Sequence, residues 1–512
     1  MWQKSLTMSI TLYKNPLWVR ISEWAEKKPA EICIRETSGR TVTYSDLVNQ
    51  VNTVAVSLIE KGFKKDDRAF FLARPSIESV VYFLAVLRAG GVIVAADIAM
   101  GREAFRSRFE LVQPKWLVLE PILYWIQQIP LLERLLRTLG VEIPDTGRPE
   151  SVTKIRVHKS HGLIAIADIQ EVAMDDSEDA VIVFTSGTTA MPKGVVHTYT
   201  SILATLNLIN DDLRPSESDV FYASQMYFLF IAFLTGAMAI LPQHRKFQAN
   251  IFANHLKTFN VTKAYALPAE CEDLIAFYSG QGGTLPSHLK SLMLGSAPVL
   301  SGFLARLQKI VTLGTEVLCI YGTTEILPIS RVTMKEKLEF TGKGDLLGTP
   351  FSSVKVRIDS EEIVVSGPNL CRSYLGSEPL KEYRTGDLGT IDDKGRIILL
   401  GRKKDMIIKG NFNIYPTLFE SVIAGVYGVK QCALVGIYRE DKSDEEIVLA
   451  VETDTDEPED QFRTRLKREL ASGPHSIDVY AQPDRIVFMD LPLSGRSRKV
   501  DKNLLRKKLT TL

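Results

Sequence analysis

The sequence predicts an α/β protein with a large N-terminal α/β domain of largely parallel sheets and a smaller, mobile C-terminal α/β domain. Three observations carry this: amphipathic stretches alternate with short apolar runs from Thr41 to about Leu400, the texture changes after Gly395, and 512 residues suffice for two large units. Tyr44 to Leu58 repeats its apolar residues at helical spacing, and Arg68 to Leu72 reads as a strand. Ile77 to Arg88 is a second helix, and Gly91 to Ala95 a second strand. Asp145 to Gly162 is polar with an early glycine and proline, the composition of a surface connection. Val181 to Phe184 is an apolar strand, and Arg396 to Leu400 is another that runs into the charged segment Arg402 to Asp405. There the chain is expected to divide into residues 1–403 and 404–512, with Lys404 as the hinge. Glu452 to Asp460 carries six acids before a helix at Gln461 to Leu470, which suits a solvated loop and a helix start where carboxylates favour the dipole.

Composition excludes several classes. With 62 basic and 61 acidic residues the net charge is +1, so no global field holds a polyanion or an anionic membrane, and nucleic acid is not an expected partner. Five cysteines (Cys33, Cys271, Cys319, Cys371, Cys432) lie far apart without a CxxC pair, against a zinc site or a disulfide framework. The opening MWQKSLTMSITLYKNP lacks the apolar run of a signal peptide, so a cytoplasmic address is expected. Val220 to Gln243 is uncharged, yet its strongly apolar part, Met226 to Leu241, falls short of the roughly 20 residues that cross a bilayer. It reads as a buried core helix, and no transmembrane segment is expected.

The chemistry concentrates in Val181 to Tyr199, VIVFTSGTTAMPKGVVHTY. After the strand come Thr185, Ser186, Gly187, Thr188 and Thr189, then Pro192, Lys193 and Gly194. Small residues let backbone N–H groups approach an anion, hydroxyls add hydrogen bonds and a lysine adds charge, which makes a phosphate cradle. It is not the GxxxxGK[ST] loop, since no Ser or Thr follows Lys193-Gly194. Further runs follow in order: GSAP at Gly295 to Pro298, YGTTE at Tyr321 to Glu325, YRTGDLG at Tyr383 to Gly389, GRKKDMIIKGNFNIYP at Gly401 to Pro416, and LPLSGRSRKVDKNLL at Leu491 to Leu505.

Together these runs resemble the adenylate-forming (AMP-binding) enzyme superfamily, in its acyl-CoA synthetase-like part. The resemblance implies an AMP-forming acid-thiol ligase: a carboxylic acid is activated by ATP as acyl-AMP with release of pyrophosphate, and the acyl group then passes to a thiol, coenzyme A first. Two anions must meet in such a reaction, so charge has to be neutralised and groups aligned. By resemblance, Thr185 to Thr189 and Lys193 hold the β- and γ-phosphates, and Glu325 helps bind Mg²⁺. Gly295, Ser296, Ala297 and Pro298, with Tyr321, Gly322, Thr323 and Thr324, frame adenine and the start of the acyl pocket. Asp387 accepts the ribose hydroxyls, Arg402 touches the ribose, and Lys499 reaches the α-phosphate and the substrate carboxylate. The catalytic set is then Lys499, Glu325 and Lys193.

Some positions depart from the family pattern. Ala190 and Arg498 stand where glycine is usual, and Gly410-Asn411 replaces the glycine pair usual in thioester-forming members. Asp97 to Gly101 (DIAMG) and YGTTEILPI resemble the branch that closes β-hydroxy acids to β-lactones, so a carrier protein or an internal hydroxyl stands beside coenzyme A as acceptor. A nucleotide-binding protein that has lost turnover is the alternative of another class. The seven histidines, His197 among them, show no catalytic spacing. The apolar Met226 to Leu241 stretch and Ile326-Leu327-Pro328 point to an apolar pocket, hence a medium or long-chain fatty acid.

Overall fold

The alternating periods of the sequence resolve into two large sheets and a smaller C-terminal unit. A computed structural model describes residues 10–96, 102–129, 134, 152–159, 169–184, 192–243, 247–409, 412–440, 444–494 and 498–511. The helix at Tyr44–Glu60 starts where Thr43 accepts from the Asp46 N–H, and the helix at Ile77–Arg88 starts in a reciprocal box between Ser76 and Ser79. The strands Arg68–Leu72 and Val92–Ala95 lie between them and beyond, as the sequence predicts.

Among the described residues the first sheet has seven strands. Thr153–Arg156, Trp116–Leu119, Arg68–Leu72, Val92–Ala95 and Asp179–Phe184 run parallel in that spatial order. Gly194–Thr198 then returns antiparallel, and the short strand Ser373–Tyr374 closes the edge. The segment read as a surface connection therefore contributes a strand: Ile155 and Val157 are buried beneath its polar residues, an alternation that overall polarity hides.

Among the described residues the second sheet has thirteen strands. Its centre is parallel, from Ile32–Glu36 through Met238–Leu241, Val220–Tyr222, Lys263–Ala266 and Ser291–Leu294 to Glu316–Tyr321. Beyond Glu316–Tyr321 the strands Ser330–Thr333, Asp345–Pro350, Ile397–Arg402, Tyr383–Ile391, Glu362–Ser366 and Lys355–Asp359 pair antiparallel. The expectation of largely parallel sheets thus holds at both centres and fails on this flank, where antiparallel neighbours need no crossover helix packed on the sheet. One large apolar core draws on both sheets, with Phe71 and Ile93 from the first and Phe221, Met293 and Leu318 from the second.

The uncharged stretch lies in that core. Its helix covers only Met226–Thr235, stops at left-handed Gly236, and gives way to the strand Met238–Leu241. The expected continuous helix is divided because an added Cβ at Gly236 would meet the Trp24 ring at 2.7 Å, so the turn and the packing both need glycine there. Phe228 to Phe233 are buried in the core, and among the described residues no helix is long and apolar enough to cross a membrane.

From Ile407 onward the apolar residues form their own clusters. Val429–Arg439 and Asp444–Thr453 pair antiparallel, with Arg485–Phe488 added in parallel. Side chains alternate between the two faces. Leu434 and Leu449 pack beneath Phe462, Leu466 and Leu470 of the helix Glu459–Ala471, whereas Val435 and Val448 pack beneath Leu505 and Leu509 of the helix Lys502–Thr510.

Candidate active site

In an open parallel sheet, loops at the carboxyl ends of the strands gather the ligand-binding groups. Ser291–Leu294 and Glu316–Tyr321 are neighbours, so their carboxyl ends bring Gly295 to Pro298 beside Gly322 to Glu325. Both turns are tight. Ser296 sits at φ 63 and its Oγ accepts the Tyr265 hydroxyl at 2.8 Å. A Cβ on Gly322 would come within 2.6 Å of Leu327 and 3.2 Å of the Ile326 carbonyl, while Thr323 N–H donates to that carbonyl at 2.9 Å.

Asp387 is the centre of the first cluster. It lies on Tyr383–Ile391 directly opposite Arg402 on Ile397–Arg402, so the ladder register sets the two charges face to face. The carboxylate is buried at 1% exposure; Tyr321 donates its hydroxyl to Oδ2 at 2.7 Å, and Arg402 Nε stands 2.8 Å from Oδ1. That second contact is an ion pair without an aligned N–H, and Oδ1 has no hydrogen-bond donor of its own. Burial pushes the carboxyl upward, and Arg402, the Tyr321 hydroxyl, Lys499 and Lys404 pull it back. Lys499 of the C-terminal unit, exposed by surface area, lies within electrostatic reach of the same group: crowding by protein and the nearby Arg402 lower its pKa, and Asp387 opposes them. An acceptor atom buried without a donor fits a sugar hydroxyl, which supplies one.

Glu325 is the centre of the second cluster, also buried. Tyr374 donates to its Oε1 at 2.8 Å, and the Tyr383 hydroxyl interacts with both Tyr374 and Glu325. Lys193 Nζ stands 5.0 Å above the Tyr374 ring. This contact follows from the first sheet: Tyr374 pairs with Val195, two residues after Lys193, on the edge strand that reaches the second sheet's loop. Behind Glu325, His197 Nε2 donates to the Thr324 carbonyl at 2.8 Å while its Nδ1 lies 3.1 Å from Ser201 Oγ; burial lowers the ring's pKa and keeps it neutral. A single hard carboxylate bonded by the Tyr374 phenol, with the Tyr383 phenol beside it, suits Mg²⁺, which usually takes one or two protein carboxylates together with substrate phosphates. Among the described residues no group of three or more His, Cys, Asp or Glu side chains forms a metal site of its own.

The structure therefore brings Tyr321, Asp387, Arg402 and Lys499 together, and Lys193 near Glu325 through Tyr374. Thr185 to Thr189, Ala190, Gly410-Asn411 and Asp97 to Gly101 lie outside the described residues. Tyr374 and the part-buried His197 carry no signal of their own in the sequence, because their partners lie far along the chain. Tyr383 opens a run that stands out in the sequence, but its tie to Glu325 is a tertiary contact.

A family model described as AMP-binding enzyme matches residues 21–375. The chain belongs to this family. Its relatives include a 2-succinylbenzoate–CoA ligase of Bacillus pumilus (strain SAFR-032), 27% identical with 97% of this chain and 99% of that protein aligned. A feruloyl-CoA synthase of Amycolatopsis sp is 25% identical over 94% of this chain and 97% of its own length. Among solved structures, an o-succinylbenzoate coenzyme A synthetase from Bacillus subtilis in complex with ATP and magnesium superposes with a TM-score of 0.78 at 21% identity, covering 95% of this chain and 99% of the other. ATP-bound MatB from Rhodopseudomonas palustris also gives 0.78, at 23% identity over 96% and 98% of the two chains. This AMP-binding enzyme is an AMP-forming acid-thiol ligase with the two-domain fold of those neighbours. The relatives are named for acids that carry an aromatic ring, so they give the expected fatty acid and fatty acid metabolism no support; the apolar helix behind that expectation spends its side chains on the core.

Proposed function

We propose that this AMP-binding enzyme activates an aromatic carboxylic acid with ATP and passes the acyl group to coenzyme A. The observation that carries the reading is the convergence of Tyr321, Arg402 and Lys499 on the buried Asp387, a site with one unfilled acceptor and a lysine beside it. Asp387 holds the ribose through Oδ1, Arg402 fixes that carboxylate and borders the sugar, and Tyr321, Gly322, Thr323 and Thr324 with Gly295, Ser296, Ala297 and Pro298 frame the base and the acid. Thr185 to Thr189 and Lys193 take the terminal phosphates. Glu325, oriented by Tyr374 and Tyr383, is the protein's contribution to a Mg²⁺ site, and the metal supplies shielding between the incoming carboxylate and the phosphates. Lys499 brings positive charge to the point where two anions meet, which preorganised sites reward most.

The acid side is supported by the relatives' names and by Tyr227 and Tyr265, whose rings meet edge to face at 5.8 Å next to the Gly295 turn. Residues 1–403 and 404–512 then act as two domains, with Lys404 as the hinge that turns the face carrying Lys499 away between adenylation and thioester formation. ATP–pyrophosphate exchange over a panel holding 2-succinylbenzoate, ferulate, benzoate, octanoate and a β-hydroxy acid tests the reading. The aromatic acids should exchange fastest, with thioester appearing when coenzyme A is added. Exchange confined to octanoate or to the β-hydroxy acid contradicts the aromatic assignment, and acyl-AMP without thioester contradicts coenzyme A.

A further inference from the structure

Arg498 immediately precedes Lys499 and occupies a conformation that most side chains avoid, at φ 49. It directly precedes the strand Lys499–Val500, which pairs antiparallel with Leu493–Ser494. Its guanidinium turns toward the large unit: Nη1 lies 3.4 Å from Oδ2 and 3.5 Å from Oδ1 of Asp273. Asp273 belongs to the helix Pro268–Gln281, which packs in the core of the large unit, far from Arg498 in sequence. The other basic residues of this tail with described ion pairs turn elsewhere. Lys502 pairs with Glu420 inside the C-terminal unit, and Arg506 pairs with Asp405 at the junction.

We propose that Arg498 and Asp273 form a latch that holds the C-terminal unit with Lys499 turned toward Asp387 and Arg402, so that Arg498 is a positioning residue for adenylation. The inference rests on the reading of Lys499 given above. Arg498 is the residue next to the working lysine, and tying it to a fixed helix sets the position of the strand that carries Lys499. Glycine at the same φ would relieve the backbone but leave nothing to tie. Both partners are about half exposed, at 54% and 41%, so the pair is weak enough to open in each catalytic cycle. A rotation that presents another face of the C-terminal unit has to break it.

The test uses the full chain and reads position and chemistry separately. Nitroxides on cysteines introduced at Lys309 of the large unit and Asp460 of the small one, both exposed, report the distance between the units by pulsed electron spin resonance. The parent should give one dominant distance, and Asp273→Arg should spread it or add a second. The swap Asp273→Arg with Arg498→Asp should restore the first, and raised salt should act on the parent as Asp273→Arg does. In parallel, Asp273→Asn should slow pyrophosphate exchange with the fastest acid of the panel by about two- to five-fold, the scale of an exposed ion pair. Thioester formation from supplied acyl-AMP should be unchanged or faster, and the melting temperature unmoved. Equal slowing of both half-reactions, or no rescue by the swap, overturns the latch. If the distances respond as stated while Lys499→Ala keeps parental exchange, the latch stands and the role of Lys499 is what fails.

Discussion

At the residue scale, Lys499 and Asp387 show how one neighbourhood sets two charges in opposition. Crowding by protein, followed by Arg402 and Lys404, makes the Lys499 ammonium easier to deprotonate, while Asp387 works against them. A lysine whose pKa is lowered loses its charge at a lower pH than the usual value of about 10.4. Adenylation that needs the charged form should therefore fall on the basic side before that value, and Lys499→Arg should shift the fall to higher pH because guanidinium stays charged. A pH profile of pyrophosphate exchange checks this; identical basic limbs in the parent and the arginine variant contradict it. Much of this site is legible from motif order alone, since TGD and GRKKD single out Asp387 and Arg402. Their pairing is not, because it depends on antiparallel register across the turn between Tyr383–Ile391 and Ile397–Arg402. Tyr374 stays hidden for the same reason: its two-residue strand has no periodicity, and its place beside Lys193 comes from an edge pairing with Val195.

At the scale of elements, the strands and helices with one strong period follow the sequence closely, whereas the apolar run at Met226 reads as one helix and folds as a helix and a strand, because buried helix and buried strand look alike in hydrophobicity. The antiparallel flank is the less obvious scaffold of the site, for it carries both Asp387 and Arg402. Its most sensitive point is Gly348, at φ 83 in the strand Asp345–Pro350, where an added Cβ would fall 1.9 Å from the Arg331 carbonyl oxygen. Backbone cannot yield there as a side chain would. Gly348→Ala should cost about 3 kcal/mol or more, since a forbidden contact adds to the left-handed penalty. Denaturant unfolding measures it, with Gly395→Ala as the comparison: φ is 73 there and nothing lies within 4 Å of an added Cβ, so only the smaller conformational cost of about 1 to 2 kcal/mol is expected. Equal losses in the two variants contradict the steric argument.

At the scale of the whole molecule, a core shared by two sheets supports one face of the site, and a C-terminal unit with its own core brings the other. Between them lies the single turn Lys403–Asp405. Proline fixes φ, so Lys404→Pro should restrict rotation and slow thioester formation more than pyrophosphate exchange; an equal fall in both contradicts a hinge there. The proposed role of Lys499, delivered by the C-terminal unit to complete the adenylation site, is read by ATP–pyrophosphate exchange in Lys499→Ala beside the parent, with the fastest acid of the panel. Lys499→Ala should lose about 10² to 10³ in exchange, the scale for removing a preorganised charge, while thioester still forms from supplied acyl-AMP and coenzyme A. Exchange at the parental rate in Lys499→Ala would contradict it.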